Sequence, residues 1–232
     1  KRKSDFKNAV LILEDKSVLN FQESASGEIN ISCSNLAPEP DEEGHFIAGE
    51  GGPSYVINST KYSIITSGKI ALYRPESCDN PQVALHELLH ALGFDHNGNE
   101  TSIMYPITNC VQTIDEEIID EIKRLYSEPS AGDLRMESIT ANKSGSYLNF
   151  EVTIANYGLK SMGRFKLELT ADGETVDNFD IEALDIGTKR HISVSNLKIS
   201  RRANEILFFI RTSEPEITKE NNDAKVTIVK TS

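Results

Sequence analysis

The spacing of hydrophobic positions in the first part of the chain predicts several short strands. Ala9–Leu13 is an unbroken apolar run, which favours a buried strand. In Ile29–Cys33 the isoleucines alternate with polar residues, as in a half-buried strand. Residues 15–24 between them fit either a short helix or an irregular link. Tyr55–Asn58 and Ile70–Tyr73 predict two further strands, and residues 37–53, rich in Pro, Gly and acid, predict a long surface loop.

A first helix is predicted from Pro81 to Leu92. Asp79 or Asn80 can accept hydrogen bonds from the free amides of its first turn, and Pro81 suits the first helical position because no N–H is needed there. Gly93 can adopt the left-handed conformation that ends a helix.

A second helix is predicted to open at Thr113, where Glu116 completes a capping box. An apolar stripe at helical spacing follows it: Ile114, Ile118, Ile119, Ile122 and Leu125.

The period changes to two after a small polar stretch at residues 127–133. Leu148, Phe150, Val152 and Ile154 alternate with polar residues, and several similar runs follow, separated by turn residues. About seven short strands within about a hundred residues are typical of a β-sandwich. The pattern therefore predicts two domains, residues 1–130 and 131–232, of which the first is mixed α/β and the second is all-β.

Composition excludes some functions. The net charge of −12 argues against a sequence-independent hold on nucleic acid, which depends on Lys and Arg neutralising phosphates. Residues 1–132 carry −11 of that charge, and residues 133–232 carry −1. The acidic excess indicates calcium binding, a preference for basic substrates, or only a solvated surface that aids solubility.

The strongest chemical signal is HELLHALGFDH at residues 86–96. His86 and His90 are four residues apart, so one helical face presents both imidazoles to a common point. Gly93 lets the chain turn so that His96 can supply a third nitrogen. Three neutral imidazoles leave a fourth position for water, which is the open geometry of a catalytic zinc site.

Glu87 lies beside this metal site without having to bind the ion. Zinc lowers the pKa of its water to about 7, and Glu87 is then the general base that takes the proton and passes it to the leaving amine. H-E-x-x-H alone arises by chance in roughly one such chain in 100, and the added Gly93 and His96 reduce this to roughly one in 100,000. The alternative, a helix whose histidines face water or a satisfied core, is therefore disfavoured.

The three cysteines cannot all pair with one another. Cys78 lies just before the motif helix and Cys110 just after Met104, so a disulfide between them competes with buried thiols as the interpretation. The chain begins at Lys1 without a starting Met or a hydrophobic signal region, which is typical of a processed or trimmed fragment.

HExxHxxGxxH followed by a Met in a turn resembles the metzincin metalloproteases, and SIMYP places Met104 at that position. The resemblance implies a catalytic domain with a twisted mixed sheet, a cleft beside the motif helix, and Met104 as a packed floor beneath one catalytic zinc. The pieces LNFQE, EINIS, GGPSYVI and KIALY look most like the matrixin branch, over about residues 6–127.

The matrixin resemblance implies substrate contacts on an edge strand at Tyr55, Val56 and Ile57, since such a strand binds extended peptide through main-chain hydrogen bonds. Pro106 and Ile107 resemble the segment that walls the specificity pocket. The chain departs from other metzincins in having Pro106 two residues after the Met, where a metal-linked Tyr stands in astacin-like members, so no Tyr ligand is predicted.

The extra histidine ligands of a second, structural zinc in vertebrate matrixins are missing, since His45 is the only upstream histidine, and it is read as a loop residue. Asp41, Glu42 and Glu43 are candidate calcium ligands, although no recognisable loop pattern supports them.

FEVTIANYG, FKLELTADGE and ENNDAKVTIV resemble the Ig-like CARDB domain of bacterial and archaeal surface proteins. This resemblance implies a spacer or adhesive module that makes cell-surface or protein contacts, in a secreted or cell-surface setting. The alternative is a β-sandwich that only stabilises or positions the first domain. His191 on a strand there is read as structural.

The sequence thus predicts a zinc metalloendopeptidase that hydrolyses internal bonds of extended polypeptides. One alternative is an adhesive surface protein whose metal site is vestigial or structural. Another is a metal-dependent receptor that binds peptides without cleaving them. The intact Glu87 argues against a structural site, which has no use for a base.

Overall fold

The computed structural model describes residues 1–40, 44, 46–59 and 61–227. The chain divides into two compact units, the first comprising Lys1–Val56 and Ile65–Glu128 and the second comprising Ile57–Ile64 and the chain from Pro129 onward. The helices belong to the first part and an all-β portion follows it, so the expected combination of a mixed α/β portion and an all-β portion is confirmed.

The predicted strand at Ala9–Leu13 is wrong, because these residues lie within helix α1, Arg2–Lys16. Ala9 and Leu13 are fully buried and four residues apart, whereas Leu11 between them is 61% exposed. That burial has the helical period and not the strand period. The unbroken apolar run concealed it, since such a run is compatible with either structure. The backbone amide of Ser17 donates to Leu13 O and ends the helix, and residues 17–24 are irregular.

Three strands form a sheet whose residues belong mostly to the first unit: β1 (Ile29–Cys33), β2 (Gly49–Asn58) and β3 (Ser63–Leu72), in the order β1-β3-β2. β1 and β3 are parallel, with Ile29 opposite Gly68 and Cys33 opposite Leu72. β2 begins at Gly49, so the predicted loop at residues 37–53 is too long at its C-terminal end. The predicted strands Tyr55–Asn58 and Ile70–Tyr73 correspond to the C-terminal parts of β2 and β3. Tyr73 itself lies just beyond the end of β3.

Helix α2 spans Gln82–Ala91, close to the predicted bounds, but its capping differs from the prediction. Neither Asp79 nor Asn80 provides a side-chain cap, and Pro81 is the N-cap residue itself. The buried carboxylate of Glu76 accepts from the amide of Val83, with oxygens at 3.1 and 3.3 Å. A residue seven positions upstream therefore satisfies the free amide, which a search for local capping patterns cannot find.

Helix α3 spans Glu116–Tyr126, and its N-cap lies two residues after the predicted N-cap Thr113, so the Thr113 capping box is wrong. Its N-cap is Asp115, whose carboxylate accepts hydrogen bonds from Ser102 and Asn99 in the preceding loop instead of capping the helix. The predicted stripe packs the helix through Ile118, Ile119 and Ile122, while Leu125 is 38% exposed. α1, α2, β3 and α3 share one core with Ile103 and Met104.

The second unit contains seven described strands in two sheets. The strands are β4 (Leu134–Ser144), β5 (Tyr147–Asn156), β6 (Phe165–Ala171), β7 (Glu174–Ile181), β8 (Lys189–Lys198), β9 (Glu205–Arg211) and β10 (Asp223–Thr227). One sheet has the order β10-β9-β6-β7 and the other β4-β5-β8, and neighbouring strands in both sheets pair antiparallel. A last apolar run in the sequence, residues 226–229, falls partly on β10, and residues 228 and 229 lie outside the described part.

The two sheets share one core built from alternate residues of their strands. Phe150 on β5 meets Phe208 on β9 edge to face, with ring centroids 5.0 Å apart. Leu148, Val152 and Ile154 are fully buried on the same face of β5. The period of two seen in the sequence therefore marks the face that each strand turns toward this core.

The helices described in the structure are 15, 10 and 11 residues long. Among the described residues none of them has both the length and the apolar composition needed to span a bilayer.

A disulfide joins Cys78 and Cys110, and Cys33 is a free, exposed cysteine. The bridge closes a loop with a sequence separation of 32 residues, from the segment before α2 to the segment after Met104. A crosslink of that length stabilises the fold mainly by restricting the unfolded chain.

We expect the Cys78→Ser, Cys110→Ser double variant to lower the free energy of unfolding of the first unit by about 3 kcal/mol. Denaturant unfolding followed by helical circular dichroism at 222 nm measures this, because the described helices lie in that unit. Cys33→Ser removes an exposed thiol and is the control, with an expected change within about 0.5 kcal/mol. Equal losses in both variants would contradict a stabilising role for the bridge.

Candidate metal centre

The metal centre is built on one face of α2 and on the turn that follows it. His86 and His90 lie four residues apart on the helix, and Gly93 then adopts a φ of +97°. A side chain at Gly93 would place its Cβ 2.7 Å from Ile65 Cδ1, so both backbone conformation and space require glycine. The turn returns the chain toward the helix and brings His96 to the first two histidines.

The Nε2 atoms of His86, His90 and His96 converge. They are 2.9 Å apart for His86 and His90, 3.2 Å for His86 and His96, and 3.1 Å for His90 and His96. Three nitrogens each about 2.0–2.1 Å from a tetrahedral zinc ion are about 3.3 Å apart, so the observed triangle is close to that of a zinc site. Among the described residues, these three form the one group of His, Cys, Asp and Glu with metal-binding geometry.

Hydrogen bonds on the other ring nitrogens determine which tautomer is present. His86 Nδ1 lies 2.6 Å from Ile103 O, and His90 Nδ1 lies 2.7 Å from Phe94 O. A carbonyl oxygen can only accept, so each Nδ1 carries the proton and donates it. The Nε2 atoms of His86 and His90 therefore present lone pairs to each other at 2.9 Å, which is an unfavourable contact unless a cation lies between them. The donor set fits a divalent metal ion.

Burial keeps His86 in the state that binds metal. It lowers the pKa of His86 to about 4, and the neighbouring His90 and His96 act in the same direction. The pKa of His96 is also lowered, first by burial and then by His90. Both imidazoles are therefore neutral at pH 7, and protons do not compete with a metal ion for their Nε2 atoms.

Glu87 is buried beside the histidines, with 6% of its surface exposed. Burial raises the pKa of its carboxyl to about 8 in the metal-free protein, and the charge of Glu50 adds to the rise. The amide of Gly51 donates to the carboxylate and opposes it. Burial therefore gives this carboxyl group a higher affinity for a proton than an exposed carboxylate has, as a proton acceptor in catalysis requires.

Two glycines of β2 let this strand approach Glu87. A Cβ on Gly51 would lie 2.2 Å from the backbone oxygen of Glu87, and a Cβ on Gly49 would lie 2.8 Å from its Cγ. Both glycines fall within the predicted surface loop at residues 37–53, so their role is not evident from the sequence pattern. The small residues of GEGG at 49–52 are the sequence feature that indicates this close approach. They have that meaning only if the segment is recognised as a strand that packs on a helix.

Met104 is fully buried directly after Ile103, whose carbonyl orients His86. The backbone amide of Met104 donates to Ser102 Oγ at 3.0 Å, and the backbone amide of Asn97 donates to Met104 O at 2.9 Å. Ser102 is fully buried, donates to the Asp115 carboxylate and accepts from Asn97 Nδ2 at 2.8 Å. This network holds the turn beneath the histidines, and the sequence analysis did not identify Ser102 or Asp115 as part of it.

The residues expected to contact substrate lie near this centre along the chain and are largely accessible. Tyr55 and Val56, on the strand that carries Gly49 and Gly51, are 61% and 43% exposed, and Ile57 is half-buried. Pro106 is exposed and Ile107 is 50% exposed. Their contact with a substrate stays a prediction.

The remaining sequence candidates lie elsewhere. Asp41, Glu42, Glu43 and His45 are outside the described residues. His191 is exposed on β8 of the second unit, where its Nδ1 lies 3.3 Å from Thr153 Oγ1.

Comparison with solved structures found CARDB domains at low identity. A CARDB domain from Pyrococcus furiosus, crystallised in complex with di-metal ions, is 15% identical and has a TM-score of 0.36, over 43% of this chain and 93% of that one. A domain of a putative cell surface protein from Methanosarcina acetivorans is 21% identical and also has a TM-score of 0.36, over 44% and 95%.

Both parts of the chain match known protein families. Residues 133–226 match the CARDB family model. Human Matrix metalloproteinase-26 is 28% identical over 141 residues, which cover 57% of this chain and 54% of the human protein, so the chain spans about half the length of this relative. Residues 1–127, more than half of the chain, match the Matrixin model. The chain therefore belongs to the matrixin family.

Proposed function

We propose that this protein is a zinc-dependent endopeptidase that hydrolyses internal peptide bonds of extended polypeptides. The observation that carries the proposal is the convergence of three imidazole Nε2 atoms next to a buried carboxyl group. Membership of the matrixin family supports it.

His86, His90 and His96 would hold the ion. A zinc ion bound there supplies an activated water and polarises the scissile carbonyl group. The carbonyl oxygens of Ile103 and Phe94 keep His86 and His90 in the tautomer whose Nε2 is free of a proton.

Glu87 accepts a proton from the attacking water at its carboxylate and delivers that proton to the leaving amine. Its position is held by the Gly51 amide and by the close packing of β2 at Gly49. Because the carboxyl group is buried, bulk water cannot replace it in this transfer.

β2 is the proposed binding edge for substrate. It is the terminal strand of the described sheet and runs past Glu87, and its side chains at Tyr55 and Val56 are accessible. An extended peptide can add to such an edge through main-chain hydrogen bonds, and Pro106 and Ile107 are proposed to wall the pocket for one side chain.

The setting is proposed to be secreted or cell-surface, with a catalytic domain at residues 1–130 and an Ig-like sandwich at residues 131–232. The Cys78–Cys110 disulfide is typical of proteins from oxidising compartments. The CARDB match supports contacts of the second domain with a surface or with other proteins.

We expect the chain to bind one zinc ion and the variants His86→Ala and His96→Ala to lose it. Removing one of three ligands weakens binding by more than the roughly 10–100-fold seen when only a ligand's supporting partner is lost. Metal analysis after dialysis against a weak chelator measures this. His191→Ala is the control and keeps its zinc. Retention of full zinc by either ligand variant would show that the ion binds elsewhere.

Glu87→Gln should keep its zinc and lose proteolysis. Glutamine has the same shape and still accepts from Gly51, but it cannot take the proton, so kcat/KM falls by roughly 10²–10⁴. Cleavage of a denatured protein mixture, assayed beside zinc content, provides the test. Glu100→Gln removes an equal charge from an exposed position of the loop after His96 and keeps its activity. Zinc binding without any cleavage by the native chain would instead favour the peptide-binding alternative.

Tyr55→Ala should raise KM several-fold and change kcat by less than about twofold. The reason is that the lost contact would stabilise the bound substrate and the transition state equally. Steady-state kinetics on a peptide cleaved by the native chain separates the two constants. Tyr147→Ala, at a 51% exposed position on β5, should change neither. A fall in kcat at constant KM would mean that Tyr55 acts on the reacting groups.

A further inference from the structure

Two buried glutamines lie beside the metal centre, and the proposed mechanism does not use either of them. Gln82 is the first residue of α2 and is 2% exposed, and Gln112 precedes α3 and is 4% exposed. A side-chain amide has two N–H donors and one carbonyl acceptor, so burying it without partners destabilises a fold. The hydrogen-bond partners of the two side chains therefore indicate what each of them holds in place.

Gln112 holds the loop at residues 105–112 from its buried side. Its Nε2 donates to Ile107 O at 3.0 Å and to Glu100 O at 3.3 Å, and its Oε1 accepts from the backbone amide of Asn109 at 3.0 Å. Both donors and the acceptor of the amide are thus engaged. The loop contains no helix or strand, so this side chain supplies backbone partners that regular structure supplies elsewhere.

Gln82 joins the same loop to the helix that carries two of the histidines. Its Nε2 donates to Gln112 O at 3.0 Å and to Cys110 O at 3.2 Å. Gln82 and His86 are four residues apart, so they lie on the same face of α2. Cys110 is also the residue that the disulfide ties to Cys78. The loop is therefore attached to the start of this helix by a covalent bond and by a side-chain amide.

Backbone hydrogen bonds close the neck of the loop next to the metal centre. Ile103 N donates to Thr113 O at 2.8 Å, and Thr113 N donates to Thr101 O at 3.0 Å. The carbonyl oxygen of the same Ile103 accepts from His86 Nδ1 at 2.6 Å. A loop whose ends meet and whose own side chains fill its interior keeps one shape. The neck thus places that shape relative to His86.

We propose that Gln82 and Gln112 are positioning residues that determine which substrate side chains the protein accepts. They fix the wall proposed at Pro106 and Ile107 relative to the helix that carries His86. A wall held in one place discriminates between side chains of different size, whereas a surface that can repack accommodates several. The inference rests on the proposed peptidase function, because it names what sets the selectivity of that site.

Amide hydrogen exchange tests the positioning without any substrate. Gln112→Met keeps an unbranched side chain of similar length and removes its three hydrogen bonds. The backbone amide of Val111 is the probe, because its partner, Asn109 Oδ1 at 3.0 Å, is not altered by the substitution. In the zinc-loaded full chain we expect the exchange of this amide to rise at least about fivefold, with no change at Leu89 within α2.

Gln22→Met is the matched control, since Gln22 is exposed between α1 and β1, and it should exchange as the native chain does. If Gln112→Met does not fold, Gln82→Met takes its place with the same expectation, because it loses the two bonds that join the loop to α2. Native exchange at Val111 in the folded variant overturns the proposal.

Selectivity tests the consequence for substrate. A peptide that the native chain cleaves is prepared in two forms, with leucine or alanine at a position where the native values of kcat/KM differ at least about tenfold. We expect the ratio of the two values to move at least about threefold toward one in Gln112→Met, with zinc content as in the native chain. Equal losses with both peptides would indicate a structural role alone and overturn the proposal.

Failure of the proposed function has a different result. A native chain that binds zinc and cleaves no peptide contradicts the peptidase function itself. The two peptides are then compared by their Kd values on the zinc-loaded native chain and on Gln112→Met. A change in the ratio of these values supports the role of the glutamines, and an unchanged ratio overturns it.

Discussion

The metal centre depends on the two hydrogen bonds that imidazoles make to backbone carbonyls. Ile103 O and Phe94 O each hold the Nδ1 proton of one histidine, and this leaves its Nε2 lone pair directed at the other rings. Phe94 is placed by the left-handed turn at Gly93, and Ile103 by the network around the buried Ser102. Backbone geometry at two loops thus determines the protonation state of the donors.

The same centre requires a strand and a helix to approach closely. Gly49 and Gly51 remove the side chains that would separate β2 from Glu87, and the Gly51 amide then reaches the carboxylate. The edge proposed to bind substrate and the base proposed to move the proton are therefore held by one contact. A side chain at either glycine would displace both.

The sequence predicted the histidines, the base and the alternating strands of the second unit, because each has a periodic or motif pattern. It failed where the deciding contact is distant. Ala9–Leu13 was read as a strand, since a short apolar run is compatible with both periods until Leu11 is seen to face solvent. The cap from Glu76, the role of Ser102 and Asp115, and the burial of Gln82 and Gln112 depend on folded neighbours that local spacing does not reveal.

The bridge between Cys78 and Cys110 has a further consequence for a chain whose backbone is cut. Every proposed ligand, Glu87 and Met104 lie between the two cysteines. A single break of the backbone within that stretch therefore leaves both fragments covalently joined. A cut at the exposed turn around residues 98–101 would leave all three histidines on the N-terminal fragment, and the bridge would keep Ile103 and Met104 on the other fragment attached to it.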